Sequence, residues 1–130
     1  MTKTIIAFAT DDGETFVSRH FGDAKFYDIY EIEEGNSIFI KRISNSIDEE
    51  EEVHADPKKA KGISGLLLKE DVSIVVSRVF GPNIKRIRKK FVCIIIRENK
   101  IKDVINKIHA NINTIHDEWE KGEERKHLSL

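Results

Sequence analysis

Three short apolar runs punctuate the chain: Thr4–Thr10 (TIIAFAT), Val72–Val76 (VSIVV) and Val92–Ile96 (VCIII). None alternates polar with apolar, which is the pattern of strands covered on both faces. Between the first two runs lie Phe26–Ile32 (FYDIYEI) and Ser37–Ile43 (SIFIKRI). These read as two more strands, antiparallel across the acidic Gly-Asn turn at Glu33–Asn36. Asp56-Pro57 then marks a helix start, since Asp can cap open N–H groups and Pro suits the first helical position. Ile63, Leu66 and Leu67 mark its inward face; Gly62 and Gly65 each weaken it by about 1 kcal/mol relative to Ala. Gly81-Pro82 predicts a second, shorter helix, with Ile84 and Ile87 inward and Lys85, Arg86, Arg88 and Lys89 outward. Ile101, Val104, Ile105, Ile108, Ile112, Ile115 and Trp119 keep the three-four spacing of one amphipathic helix.

The element order is therefore strand, strand, strand, helix, strand, helix, strand, helix. A meander feeding two crossover units, with right-handed crossovers, predicts an α/β fold. Its simplest form is a ribonuclease H-like three-layer arrangement: a mixed five-stranded sheet of order 3-2-1-4-5 with helices on both faces. A single domain over residues 1–121 is expected, with 122–130 as a frayed tail.

Composition narrows the function. The 130 residues are 39% hydrophobic and 35% charged, with a net charge of −1. This is the balance of a soluble globular domain, and it lacks the basic excess that marks nucleic-acid binding. No apolar run is long enough to span a bilayer. No basic, apolar, small-residue series opens the sequence, so no signal peptide is expected and a cytoplasmic location fits. The single cysteine, Cys93, excludes an internal disulfide and a cysteine-only metal site within one chain.

Ligands on open α/β sheets gather at the carboxyl ends of the parallel strands. Two segments converge there, Thr10–Gly22 after the first strand and Ser77–Asn83 (SRVFGPN) after the fourth. The second leads into a helix start at Gly81, Pro82 and Asn83, where free N–H groups favour an anion. Arg19, His20 and Arg78 could add donors or positive charge, and Gly22 a backbone turn. From spacing alone His20 has two readings, a loop residue bonded to the backbone or a ligand. Phe21 is expected to turn inward near Phe8 or the second strand, leaving His20 facing the rim. Cys93 sits mid-strand, as a buried inert thiol would. His109 and His116 are too far apart on one helix to share a metal. Asp48–Glu52 reads as a solvated acidic loop. Asp11 and Asp12 alone do not supply the carboxylates of a two-metal nuclease.

The segment ATDDGETFVSRHFGDAKFYDIYEIEEG resembles the opening of the dinitrogenase iron–molybdenum cofactor biosynthesis domain family, which includes NifX, the core domain of NafY and the C-terminal domain of NifB. Asp12-Gly13, Val17, His20, Phe21, Gly22, Ala24 and Tyr30-Glu31-Ile32 match its pattern, and FGPNIKRIRKKFVCI resembles its Gly-Pro helix start and following strand. The resemblance covers Met1 to about Asn113. It implies a ribonuclease H-like fold and a non-enzymatic carrier of iron–molybdenum cofactor or an iron–sulfur precursor, related to nitrogen fixation, whose partners are cluster donor and acceptor proteins. It implies that His20 is a metal ligand, and imidazole suits iron. Where many members have a Gly/His-rich stretch after the third strand, this chain has SIDEEEEVHADP, with His54 alone. Where many have small residues before Gly-Pro, it has Ser77, Arg78, Val79 and Phe80. These departures motivate an alternative, a metal-free interaction or regulatory domain on the same fold.

Overall fold

The computed structural model describes residues 3–45 and 56–130. The acidic run Asp48–Glu52, His54 and the side chain of Asp56 lie outside the described parts. Strand β1 (Thr4–Thr10) is buried at every position. It can be so apolar because both its faces are covered, while a strand on each side satisfies its backbone: β2 (Phe26–Glu33) pairs antiparallel to it and β4 (Ile74–Ser77) parallel. Strand β3 (Asn36–Ser44) continues the meander through a tight turn at Glu34–Gly35, where Gly35 takes φ +70°. Strand β5 (Val92–Ile95) lies parallel to β4 on the other side.

Successive side chains of these strands point to opposite faces, and each face has its own core. On one, Ile5, Ala7 and Ala9 of β1 pack with Ile63 and Leu67 of helix α1 (Asp56–Lys69), Ile87 of the one-turn helix α2 (Ile84–Ile87), and Phe21, Phe80 and Phe91. On the other, Ile6 and Phe8 pack with Ile101, Val104 and Ile108 of helix α3 (Ile101–Ala110) and Ile115 of helix α4 (Ile112–Glu120). No helix among the described residues is long and apolar enough to cross a membrane.

Four expectations are corrected. Among the described residues the sheet has six strands, not five, in the order β3-β2-β1-β4-β5-β6. The sixth, β6 (Leu128–Ser129), lies parallel to β5. It belongs to the terminal segment expected to fray, which is instead held by Arg125. That side chain is 6% exposed, donates to the carbonyls of Trp119 and Lys89 at 3.0 Å each, and lies 4.3 Å from the centre of the Trp119 ring. The long amphipathic helix is broken at Asn111, whose side-chain amide donates to the Lys107 carbonyl at 2.8 Å. An Asn amide competes with the helical ladder for backbone partners, yet the apolar stripe runs on across the break. Helix α2 starts at Ile84 rather than at Gly81-Pro82.

The two ends of the sheet differ. Strand β6 has two residues, whereas β3 has nine, with Ile38, Phe39 and Ile40 exposed and a register shift opposite Ile29 and Tyr30.

After β1 the chain turns sharply around Asp12. One carboxylate oxygen accepts the N–H groups of Glu14 and Thr15, both at 2.8 Å, and the other the Thr15 hydroxyl at 2.8 Å. The loop is tied onward by the Phe16 N–H to the Asn99 carbonyl at 2.8 Å and the Ile101 N–H to the Glu14 carbonyl at 3.0 Å. The N–H groups of Thr15 and Glu14, then the Thr15 hydroxyl, hold the Asp12 carboxyl down to about 2.

A group with a depressed folded pKa stabilises above its unfolded value and loses that contribution as pH falls through the folded one. Asp12→Asn should therefore unfold at lower temperature than wild type at pH 7. The difference should close as pH falls from about 4 to about 2, as melting curves across that range would show. Arg125→Ala removes a buried guanidinium that bonds the Trp119 and Lys89 carbonyls and should cost about 2–4 kcal/mol in urea unfolding. A loss below about 1 kcal/mol would mean the terminal segment adds little.

Candidate functional site

The two loops at the carboxyl rim meet as their sequences predict. The Phe21 N–H donates to the Val79 carbonyl at 2.8 Å, and His20 pairs with Val79 in a short parallel bridge. A 3-10 turn, Phe21–Asp23, follows, closed by the Asp23 N–H to the His20 carbonyl at 2.8 Å. Phe21 is 2% exposed. Its ring stacks on Phe80 at 5.1 Å and tilts against Tyr27 at 5.1 Å, and the Tyr27 hydroxyl donates to the Phe21 carbonyl at 2.7 Å. Phe21 thus reaches β2, as one expectation had it. Phe8 is on the other face of the sheet, against Phe16 and Tyr30.

His20, one residue before this anchor, is exposed. Its ring lies face-on over the α-carbon of Gly81: a Cβ there would fall 2.6, 2.8 and 2.9 Å from Nδ1, Cε1 and Cγ. The three distances, shortest to Nδ1, set the Gly81 backbone against the face of the ring on its Nδ1 side, where only a glycine leaves room for it. Gly81 also has φ +74°, the left-handed region that glycine enters freely. The backbone freedom expected of Gly22 therefore belongs to Gly81. Gly22 has no positive φ, and a Cβ on it would meet nothing within 4 Å.

His20, Phe21, Gly22 and Asp23 line one side of a small cleft with room for about 40 Å³; Phe80, Pro82, Asn83 and Ile87 line the other, and Ile63 and Ser64 of α1 close it. So His20, Gly22, Pro82 and Asn83 come together, with Gly81 beneath the imidazole. Ser64, 5% exposed on α1, carries no sequence signal that would mark it. On that volume the cleft takes no more than a few water molecules.

The two arginines go elsewhere. Arg19 grips the Asp11 carboxylate at 2.8 and 2.9 Å and donates to the Asp23 carbonyl at 3.1 Å. Arg78 turns to the loop after β5 and donates to Asn99 Oδ1 at 2.9 Å. The rule that selects the loops after β1 and β4 also reaches this third loop, where Arg97 stands. The helix start at Pro82 is weaker than expected: α2 is a single turn, and the Ile84 and Ile87 N–H groups bond to the Gly81 and Asn83 carbonyls.

Other candidate ligands are internal. Cys93 is fully buried, and burial pushes its thiol up to about 12, so it stays protonated. His116 Nε2 lies 3.1 Å from the Thr4 hydroxyl. Among the described residues no three His, Cys, Asp or Glu side chains gather closely enough to hold a metal ion. His20 thus offers one exposed imidazole on a fixed base.

No curated protein sequence matches the chain. Among solved structures, the crystal structure of a Methanocaldococcus jannaschii protein provisionally assigned as a dinitrogenase aligns with a TM-score of 0.56. It is 23% identical and the match covers 88% of this chain and 92% of that one; at such identity the likeness shows a shared fold. The family model described as dinitrogenase iron–molybdenum cofactor matches residues 2–111. That span holds every strand but β6 and both halves of the His20–Gly81 contact, and the chain belongs to the dinitrogenase iron–molybdenum cofactor family.

Proposed function

We propose that the protein is a non-enzymatic, cytoplasmic carrier that receives an iron–molybdenum or iron–sulfur type cluster, or its precursor, from one protein and passes it to another. On a sheet that we read as ribonuclease H-like, the His20 ring seated on Gly81 carries this reading. An imidazole packed against backbone keeps its orientation, and as an exposed side chain it can offer a ring nitrogen to an iron atom. The cluster is cargo, and a single exposed protein ligand suits cargo, because release then breaks one coordinate bond. The carboxylates beside the site already have partners: Asp11 holds Arg19 and the Lys25 N–H, and Asp12 shapes the first loop. That supports binding over hydrolysis.

One observation favours a second reading, a metal-free regulatory domain. Lys85, Arg86, Lys89 and Lys90 around α2 are all exposed, a basic surface suited to an acidic partner. Iron analysis of protein purified without air separates the two readings, since stoichiometric iron sinks the metal-free one.

Anaerobic titration with an iron–sulfur or iron–molybdenum cluster tests the carrier reading directly. His20→Ala should weaken binding at least about tenfold, the scale on which metal sites respond to lost ligands and supports, with no change in melting temperature. Equal affinity in wild type and variant, or binding by neither, overturns it. Gly81→Ala should weaken binding as much as His20→Ala and also cost about 1–2 kcal/mol for its left-handed backbone. Phe21→Ala should cost about 3–5 kcal/mol in thermal or urea unfolding. Equal large losses for Phe21→Ala and His20→Ala would make His20 a structural residue.

A further inference from the structure

Beside the imidazole, on the far side of Val79, is a second and larger cleft. It has a volume of about 260 Å³ and is lined by Ser18, Arg78, Val79, Ile95, Ile96 and Arg97. Its place follows from the sheet: Arg78 leaves the carboxyl end of β4, and Arg97 follows β5 by two residues. The ladder between these strands continues one step further through the Ile96 N–H and the Ser77 carbonyl at 3.2 Å, which carries both loops to the same rim. Ile95 and Ile96 supply an apolar wall, where a charge-assisted hydrogen bond is stronger than in open water.

The chemistry of the cleft is cationic. Arg78 is half-buried, and its side-chain partner is the neutral Asn99 amide. Arg97 is exposed. Among the described residues neither guanidinium has a carboxylate within ion-pair distance; the nearby acid, Glu98, pairs with Lys107 instead. Two arginines without a carboxylate partner line the cleft together with Ser18, a set of donors that suits an oxyanion, which accepts several N–H donors at once. Val79 joins this cleft to the other site: it lines the cleft with one side and pairs with His20 through its backbone.

We propose that the Arg78–Arg97 cleft binds a dianionic oxyanion group, phosphate or dicarboxylate, and that in the carrier this group belongs to the same ligand whose metal part His20 holds. The second clause rests on the carrier reading above; the first does not. A ligand of this kind is amphoteric in its demands, with a metal edge for imidazole and an oxyanion edge for guanidinium, on either side of Val79.

The test is titration of the metal-free protein at low salt, followed by two-dimensional amide NMR, with inorganic phosphate in one arm and malonate in the other. Saturable shifts at Ser18, Arg78, Val79 and Arg97 are expected in at least one arm, and the tighter arm identifies the oxyanion class. Arg97→Gln and Arg78→Gln should each weaken that binding about tenfold, while His20→Ala leaves it within twofold. Arg97 is exposed and the Arg78–Asn99 bond is an exposed one, so melting temperatures should hold in both variants. Shifts that are absent, spread over other basic surfaces, or unchanged in the Gln variants would overturn the proposal. Because His20→Ala separates cluster binding from oxyanion binding, failure of the carrier reading leaves a distinct result in this assay. If clusters bind but neither anion does, the cleft assignment alone falls.

Discussion

The Phe21 N–H bond to the Val79 carbonyl joins two loops that the sequence separates by almost half its length. Each loop leaves a different strand, β1 or β4, and without a tie each would carry its own conformational freedom, about 1–2 kcal/mol per residue. The bond is not isolated. It lies over stacked Phe21 and Phe80 rings, under which the Tyr27 hydroxyl binds the Phe21 carbonyl. Backbone pairing and aromatic burial therefore act on the same few residues. His20 and Gly81 flank this knot, so the rim inherits its order from the core directly beneath it.

This arrangement divides labour by neighbouring positions. In an extended segment, consecutive side chains point in opposite directions. Phe21 goes to the core and His20 to the surface, with Val79 exposed and Phe80 buried in the facing segment. A residue that fixes the loop is thus always next to one that meets the solvent. In the facing loop Phe80 lines the first cleft and Arg78 and Val79 line the second, so one loop serves two clefts of different chemistry.

Much of this was legible in the chain itself. The doubly covered runs at Thr4–Thr10, Val72–Val76 and Val92–Ile96 imply central strands, and the observed order keeps β3-β2-β1-β4-β5 intact. The inward Phe and outward His were legible because adjacent residues in an extended segment must part. Other features leave no trace at this level. A two-residue strand such as β6 is shorter than any periodicity, and the docking of Arg125 depends on carbonyls of Arg88 and Lys89 some 36 positions away. The break at Asn111 is masked because the Ile spacing continues across it. Gly22 and Gly81 look alike in a sequence, yet only the second has a left-handed φ and an imidazole on its α-carbon. Arg19 and Arg78 are both at the rim, but the side-chain reach that takes one to Asp11 and the other to Asn99 is a property of the folded loops.

The unequal ends of the sheet set the direction in which it could grow. A sheet edge is a row of unpaired N–H and C=O groups that another chain can extend into a fibril. At the β6 end that row is two residues long. The β3 end offers nine, including an exposed Ile-Phe-Ile run, the kind of stretch from which cross-β stacking starts. It also holds two deterrents. The register shift opposite Ile29 and Tyr30 bends the edge out of the flat geometry that stacking needs, and the exposed Lys41 and Arg42 would face one another if two edges met in parallel register. Resistance to edge-to-edge association therefore rests on a few residues of β3.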